Sequence, residues 1–218
     1  MPLLSAQDLN AMPSRERAHL VNLLSGIKGV HLLGSVSSAG AANLAIFNSV
    51  LHVGANPAAL AVLFRPLTVR RNSFENIRQT GVFTLNLVTG AMLDAAHHTS
   101  AKWDAGESEF EHTGLTPWYS DGHAAPYVAE SPIGIGLRKV EEQTLAYNGT
   151  VLMVGEVTEV RLPEDVRNTG GWMRLDSHDI LSVAGLDSYY RGQLVARKAY
   201  ANPGDPPADL PQALQTKA

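Results

Sequence analysis

The sequence predicts a mainly β fold, a β-barrel with attached helices. Three observations predict it. Short β-prone runs recur along the chain, only a few segments read as helices, and strands and helices do not alternate regularly as they would in a doubly wound sheet. No internal repeat or sharp linker divides the 218 residues. One domain is therefore expected, with residues 1–29 as an N-terminal helical segment, 30–200 as the barrel domain and 201–218 as a Pro-rich tail.

The elements follow in order. Ser14 to Leu24 reads as a helix, with Ser14 as N-cap after Pro13, an apolar stripe of Ala18, Leu20, Val21 and Leu24, and Gly26 and Gly29 at its end. Val30 to Ser37, Leu44 to Val53 and Ala58 to Phe64 read as strands, separated by Ser38-Ala39-Gly40 and Gly54-Ala55-Asn56-Pro57. In the second of these runs both faces are mixed, as in a barrel strand that is buried inside and covered outside. Asn72 to Gln79 reads as a short helix. Asn72 takes the cap position, Glu75 completes a capping box three residues on, and Gly81 suits the left-handed end. Val82 to Val88 is the next strand. Between Thr89 and Ser131 the pattern weakens: Ala91 to Ala96 reads as a helix and Thr99 to Thr116 as polar loop. Strands resume at Ile133 to Lys139 and at Tyr147 to Leu162, the latter broken by Gly155. Pro203, Pro206, Pro207 and Pro211 make the tail a poor candidate for a packed element.

Composition narrows the chemistry. Apolar residues make up 44% and charged residues 17%, as in an ordinary globular chain. A net charge of -4 argues against nucleic acid or an anionic membrane as the main partner. With no cysteine, disulfides, cysteine-ligated metals and thiol nucleophiles are excluded. No apolar run approaches a membrane span, and Met1 to Asn10 lacks the basic start and apolar core of a signal peptide, so a cytoplasmic location is expected.

Two constellations could carry function. Arg65, Arg70 and Arg71 precede Asn72-Ser73, where a helix begins. Positive charge beside exposed helix-start N–H groups is what a phosphate needs, although solvated arginines beside an ordinary cap fit the same pattern. Asn43, Asn48 and Ser49 leave the backbone accessible, so a flat heteroaromatic ring could be read by main-chain groups there. An ordinary polar strand edge fits them equally. Other features take plainer readings. His97-His98 are adjacent and point apart, and no His-Glu-x-x-His occurs, so no metal site is expected. Gly34-Ser35-Val36-Ser37-Ser38 has no dinucleotide fingerprint. Ile133-Gly134-Ile135-Gly136 reads as a strand whose small residues allow close approach. Ser49 lacks a Gly-x-Ser-x-Gly setting. Trp103 could cover a bound ring or anchor a loop.

Several stretches in order resemble the flavin reductase-like family, which includes flavoredoxin. They are Asn43-Leu44-Ala45-Ile46-Phe47-Asn48-Ser49, Asn56-Pro57, Ser73-Phe74-Glu75-Asn76-Ile77 and Gly81-Val82-Phe83-Thr84-Leu85-Asn86. Ser108-Glu109-Phe110-Glu111 with Gly114-Leu115, Val154-Gly155-Glu156-Val157 and Tyr189-Tyr190-Arg191 continue the similarity. Two positions depart from it: Pro57 is followed by Ala58 rather than a second proline, and Asn72 rather than an acidic residue precedes Ser73. The resemblance implies an FMN-binding split β-barrel. Asn43, Leu44, Ala45 and Ile46 would offer backbone groups to the isoalloxazine edge, and Asn48 and Ser49 would face the ribityl chain and phosphate. Ser73 would hold the phosphate, helped by Arg71 or Arg70. It further implies a homodimer and hydride transfer from NADH or NADPH to flavin N5, with electrons passing to free flavin, a partner oxygenase or another acceptor. A non-catalytic flavin carrier or store, and more remotely a metal-dependent hydrolase, are the competing expectations.

Overall fold

The computed structural model describes residues 3–103, 107–164 and 172–211. Two helices come first, α1 (Ala6–Ala11) and α2 (Ser14–Leu24). Then follow β1 (Lys28–Gly29), β2 (His31–Val36), β3 (Ala42–Phe47), β4 (Val50–Ala55), β5 (Ala58–Phe64), α3 (Asn72–Thr80) and β6 (Val82–Leu87). The middle of the chain holds α4 (Leu93–His98), α5 (Glu109–Thr113), β7 (Pro117–Ser120), β8 (His123–Val128), β9 (Gly134–Thr144) and β10 (Val151–Arg161). It closes with β11 (Leu181–Ala184), β12 (Ser188–Arg191), β13 (Arg197–Lys198) and β14 (Asp209–Leu210).

Seven strands form one antiparallel sheet in the order β3-β2-β6-β9-β10-β5-β4. The mainly β class and the split-barrel type are as expected. Successive residues of β2 show how both faces of the sheet are used. Leu33 packs with Phe64, Phe83 and Met153 on one face, and Leu32 packs with Val88, Met92 and Val128 on the other, each fully buried. Helix α3 covers the first face through Phe74 and Ile77. The second face is covered by β8, α4 and α5.

Strand β8 can lie on the second face because the residues beneath it are small. Gly34, Thr84 and Gly136 stand in cross-strand register on β2, β6 and β9. A Cβ on Gly34 would lie 2.0 Å from the Pro126 carbonyl oxygen, and one on Gly136 would lie 2.3 Å from the Tyr127 hydroxyl. The expectation of close approach at Gly134 and Gly136 thus holds. Polar groups in this trough are matched: Thr84 donates to the Pro126 carbonyl at 2.5 Å, and Asn86 Oδ1 accepts from the Val128 N–H at 3.1 Å. Tyr127 donates to Glu159 at 2.6 Å, and Ser120 donates to the same oxygen. These two bonds hold the Glu159 carboxyl below its ordinary range, while burial and the neighbouring Glu159 push the Tyr127 hydroxyl well up.

Several sequence expectations need correction. The run Leu44–Val53 is two strands with a corner at Asn48-Ser49, and β4 is not covered on both faces, since Leu51 and Val53 are half exposed. Pro13 rather than Ser14 takes the N-cap of α2, without a side-chain bond, and the α2 stripe is unburied, with Val21 51% and Leu24 69% exposed. Helix α1, capped by a Ser5–Asp8 box, was not expected. Arg71, not Asn72, is the N-cap of α3. No capping box forms there, because the Glu75 carboxylate turns to Arg70 Nε at 3.1 Å. Gly81 ends that helix in the left-handed region as expected. Thr99–Thr116 contains α5, and Gly155 produces a bulge within a continuous β10 rather than a break. The Pro-rich tail contributes β14, which pairs with β13 through two residue pairs, Arg197 with Leu210 and Lys198 with Asp209.

Candidate functional site

The sheet is open between its two outer strands, and the opening begins at the Asn48-Ser49 corner. Strand β3 is an outer strand bonded to β2 alone. The Leu44 N–H points away from β2, since it donates to Glu109 Oε2 at 2.9 Å. Antiparallel alternation turns the Ile46 N–H the same way, outward. The chain then bends at Asn48-Ser49, where Asn48 Nδ2 donates to the Gly185 carbonyl at 2.7 Å and Ser49 Oγ donates to Asn48 Oδ1 at 3.2 Å. The bend leaves a cleft of about 850 Å³ between β3, the end of β5, the start of α3, the segment after α4 and the β11–β12 turn.

Ten of the eleven residues singled out in the sequence line this cleft: Asn43, Ala45, Ile46, Asn48, Ser49, Arg65, Arg70, Arg71, Asn72 and Ser73. Leu44 is the exception. Its side chain is fully buried in the core, and its N–H is taken by Glu109. Asn43 does more than lend backbone. Its side chain turns toward α3 and donates to Ser73 Oγ at 2.9 Å and Ser35 Oγ at 3.2 Å, and Asn76 Nδ2 also reaches Ser35 Oγ at 3.2 Å.

The first turn of α3 has no side-chain cap, so its leading N–H groups are left for another acceptor. Arg71 Nε beside it is buried with no partner. Arg65 and Arg70 stand exposed at the mouth. An uncapped nine-residue helix, an unpartnered buried guanidinium nitrogen and a buried hydroxyl suit the phosphate end of a flavin mononucleotide. The opposite wall is aromatic. Trp103 lies parallel to His112, with centroids 4.0 Å apart, and His98 meets its edge at 5.0 Å. The Trp103 indole Nε1 is also a buried donor without an acceptor among the described residues. Trp103 therefore both anchors its segment and faces the cleft.

Sequence reasoning missed two features of the site. Glu109 is a buried carboxylate in the cleft wall, and burial raises its pKa despite the bond from Leu44. Its place in Ser108-Glu109-Phe110-Glu111 was noticed without any sign that it would reach β3, 65 residues back. His97 and Tyr189 meet at 2.8 Å on the cleft wall, across a sequence separation of 92 that no local pattern reveals. The two histidines separate as their adjacency suggests: His97 turns to Tyr189 and His98 to Trp103.

With the cleft defined, comparison with known proteins is decisive for the family. Residues 25–180 match the sequence model of the flavin reductase like domain. The chain belongs to this family. Its chemistry is flavin-related oxidoreduction, and the family's split barrel is the fold seen here. A crystal structure of a candidate flavin reductase with a split barrel domain from Shewanella frigidimarina NCIMB 400 is 42% identical, with a TM-score of 0.88, covering 92% of this chain and all of that one. The fold also matches nitrilotriacetate monooxygenase component B from Bacillus cereus, at 21% identity and TM-score 0.79 over 89% of this chain and 96% of that one. Flavoredoxin of Desulfovibrio vulgaris (Miyazaki F) matches at 22% identity and TM-score 0.68, over 79% of this chain and 91% of that one. No curated protein matches in sequence. No helix among the described residues is long and apolar enough to cross a membrane.

Proposed function

We propose that the cleft binds FMN and that the protein is an NAD(P)H-dependent flavin or acceptor oxidoreductase. The observation that carries this reading is the uncapped start of α3. Buried Ser73 and the unpartnered Arg71 Nε stand there, opening onto the free edge of β3. When bound, a flavin supplies the redox chemistry, accepting hydride at N5 from the nicotinamide C4.

The remaining work belongs to the chain. Arg71, Ser73 and the first N–H groups of α3 hold the phosphate, with Arg65 and Arg70 adding positive charge at the mouth. The outward Ile46 N–H and C=O offer one donor and one acceptor to the ring edge, and Asn48 and Ser49 fix the corner beside the ribityl chain. Trp103 walls the ring side and keeps water from it. No residue needs to act as acid or base in a hydride transfer.

The test is anaerobic addition of NADH and of NADPH to the purified yellow protein. Bleaching by either supports the oxidoreductase. Lasting colour with both nucleotides identifies a flavin carrier or store instead, and failure to take up FMN overturns the cofactor assignment. An oxygenase component is the favoured acceptor, because one fold relative is component B of a monooxygenase. A homodimer fits the exposed apolar residues of α2 and β4, and light scattering that reports a monomer would overturn it. A cytoplasmic location completes the reading.

A further inference from the structure

The hydrogen-bond arithmetic around Ser73 assigns a second residue to the phosphate end. A serine hydroxyl has one proton to give and two lone pairs to fill. Ser73 Oγ receives a bond from Asn43 Nδ2 at 2.9 Å, and its own proton has no acceptor among the described residues. Ser35 Oγ, next in the chain of contacts, already receives two bonds, from Asn43 and Asn76, each at 3.2 Å. It therefore takes no third donor. Asn43, Ser73, Ser35 and Asn76 are all buried, at 7%, 6%, 0% and 8% exposure, and of these Asn43 and Ser73 also line the cleft. The two amides thus fill the inner side of the network with donors. Two hydroxyl hydrogens are left without an acceptor among the described residues, those of Ser35 and Ser73; Ser35 is fully buried, whereas Ser73 lines the cleft together with Arg71, whose Nε also lacks an acceptor there.

We propose that Asn43 is a positioning residue that sets Ser73 as a donor toward a phosphate monoester, and so makes the cleft select FMN over riboflavin. This rests on the FMN reading of the cleft. Asn43 touches the phosphate only through Ser73. The relay joins the edge strand to α3, so the segment beside the ring and the helix at the phosphate are set by one side chain.

The test measures dissociation constants for FMN and for riboflavin by flavin fluorescence quenching, in the wild type and in Asn43→Ala, Asn43→Asp, Ser73→Ala and Asn43→Ala/Ser73→Ala. The wild type is expected to prefer FMN. Asn43→Ala should lower the preference for FMN over riboflavin about tenfold, in keeping with loss of one oriented bond to a charged group. Asn43→Asp keeps the side chain's shape but can only accept. It should capture the Ser73 proton and cost about a hundredfold in FMN affinity. Adding Asn43→Ala to Ser73→Ala should cost nothing further in preference, because the relay has lost its end. An unchanged preference in both Asn43 variants overturns the proposal, as does full additivity in the double variant. If Asn43→Ala fails to fold, as a melting curve would reveal, Asn43→Asp against Ser73→Ala decides: equal preference in Asn43→Asp and wild type overturns the relay. A wild type that binds FMN and riboflavin equally overturns the relay and leaves a flavin site. One that binds neither overturns the FMN reading itself, and the relay with it.

Discussion

Two regions of the sheet bury polar groups in opposite ways. In the glycine trough under β8, the polar groups of Thr84, Asn86 and Tyr127 find protein partners, and glycines let the backbone close on them. In the cleft beside β3, Arg71 Nε and Trp103 Nε1 are buried with none among the described residues. Buried polar groups without partners cost stability, so a protein keeps few of them except where something else completes the bond. The trough is polar chemistry spent on packing, and the cleft is polar chemistry held in reserve. Pocket volume alone would not have made that distinction.

The comparison can be broken most forcefully at Gly34. A Cβ there would meet the Pro126 backbone oxygen, which has little room to yield, so Gly34→Ala should lose about 3 kcal/mol or more in urea denaturation. A near-normal midpoint would mean that β8 is not held tightly. At the cleft the large effect should fall on ligand binding instead. Ser73→Ala with Arg71→Ala should weaken FMN binding about 10- to 100-fold by titration, whereas Arg71→Ala alone should leave stability within about 0.5 kcal/mol. Unchanged FMN affinity would move the phosphate elsewhere.

Glu109 lies between these extremes, since it is in the cleft yet bonded. Glu109→Ala strands the Leu44 N–H and should cost about 1–3 kcal/mol. Glu109→Gln keeps an acceptor for that N–H and removes the buried charge. The folded carboxyl titrates above its unfolded value, so its contribution is fully present below the unfolded pKa of about 4.5 and is lost as pH rises through the folded pKa. Glu109→Gln should therefore match or exceed the wild type at neutral pH and show no such loss, as melting curves across pH 4–8 would reveal. A modest loss is expected at Tyr127→Phe, about 1 kcal/mol for one bond. Glu159 titrates below its unfolded value, so its stabilisation is present above about pH 4.5 and is lost as pH falls through the folded pKa. Tyr127→Phe should lift that folded pKa toward the unfolded value and so make the acid loss smaller. An unchanged acid limb would show that Ser120 alone sets the Glu159 carboxyl.

How much of this was legible in the sequence depends on the range of each interaction. Strand β5 and the end of α3 at Gly81 were readable because a short continuous apolar run and a left-handed glycine are local signals. The cleft residues were found as two segments, and the family resemblance joined them. Nothing in the spacing of Asn43 and Ser73 announces a 2.9 Å bond between them. The β3–β4 corner was hidden because Asn48-Ser49 continues a run of strand formers without Gly or Pro, and the tie from Asn48 to Gly185 spans 137 residues. Helix α2 misled in the other sense. Its periodicity is real, but periodicity reports a stripe and cannot name what covers it. The N-cap of α3 stands one residue earlier than expected, at Arg71, whose backbone is extended.

The bond from Leu44 to Glu109 has a consequence for solubility. An outer strand with a row of unused amides is a template on which a neighbouring chain can dock and begin a fibril. Helix α5 lays a carboxylate across one rung of that template, interrupting the ladder an incoming strand would need. The side chain that fixes one wall of the cleft therefore also occupies an edge amide that would otherwise be free to pair.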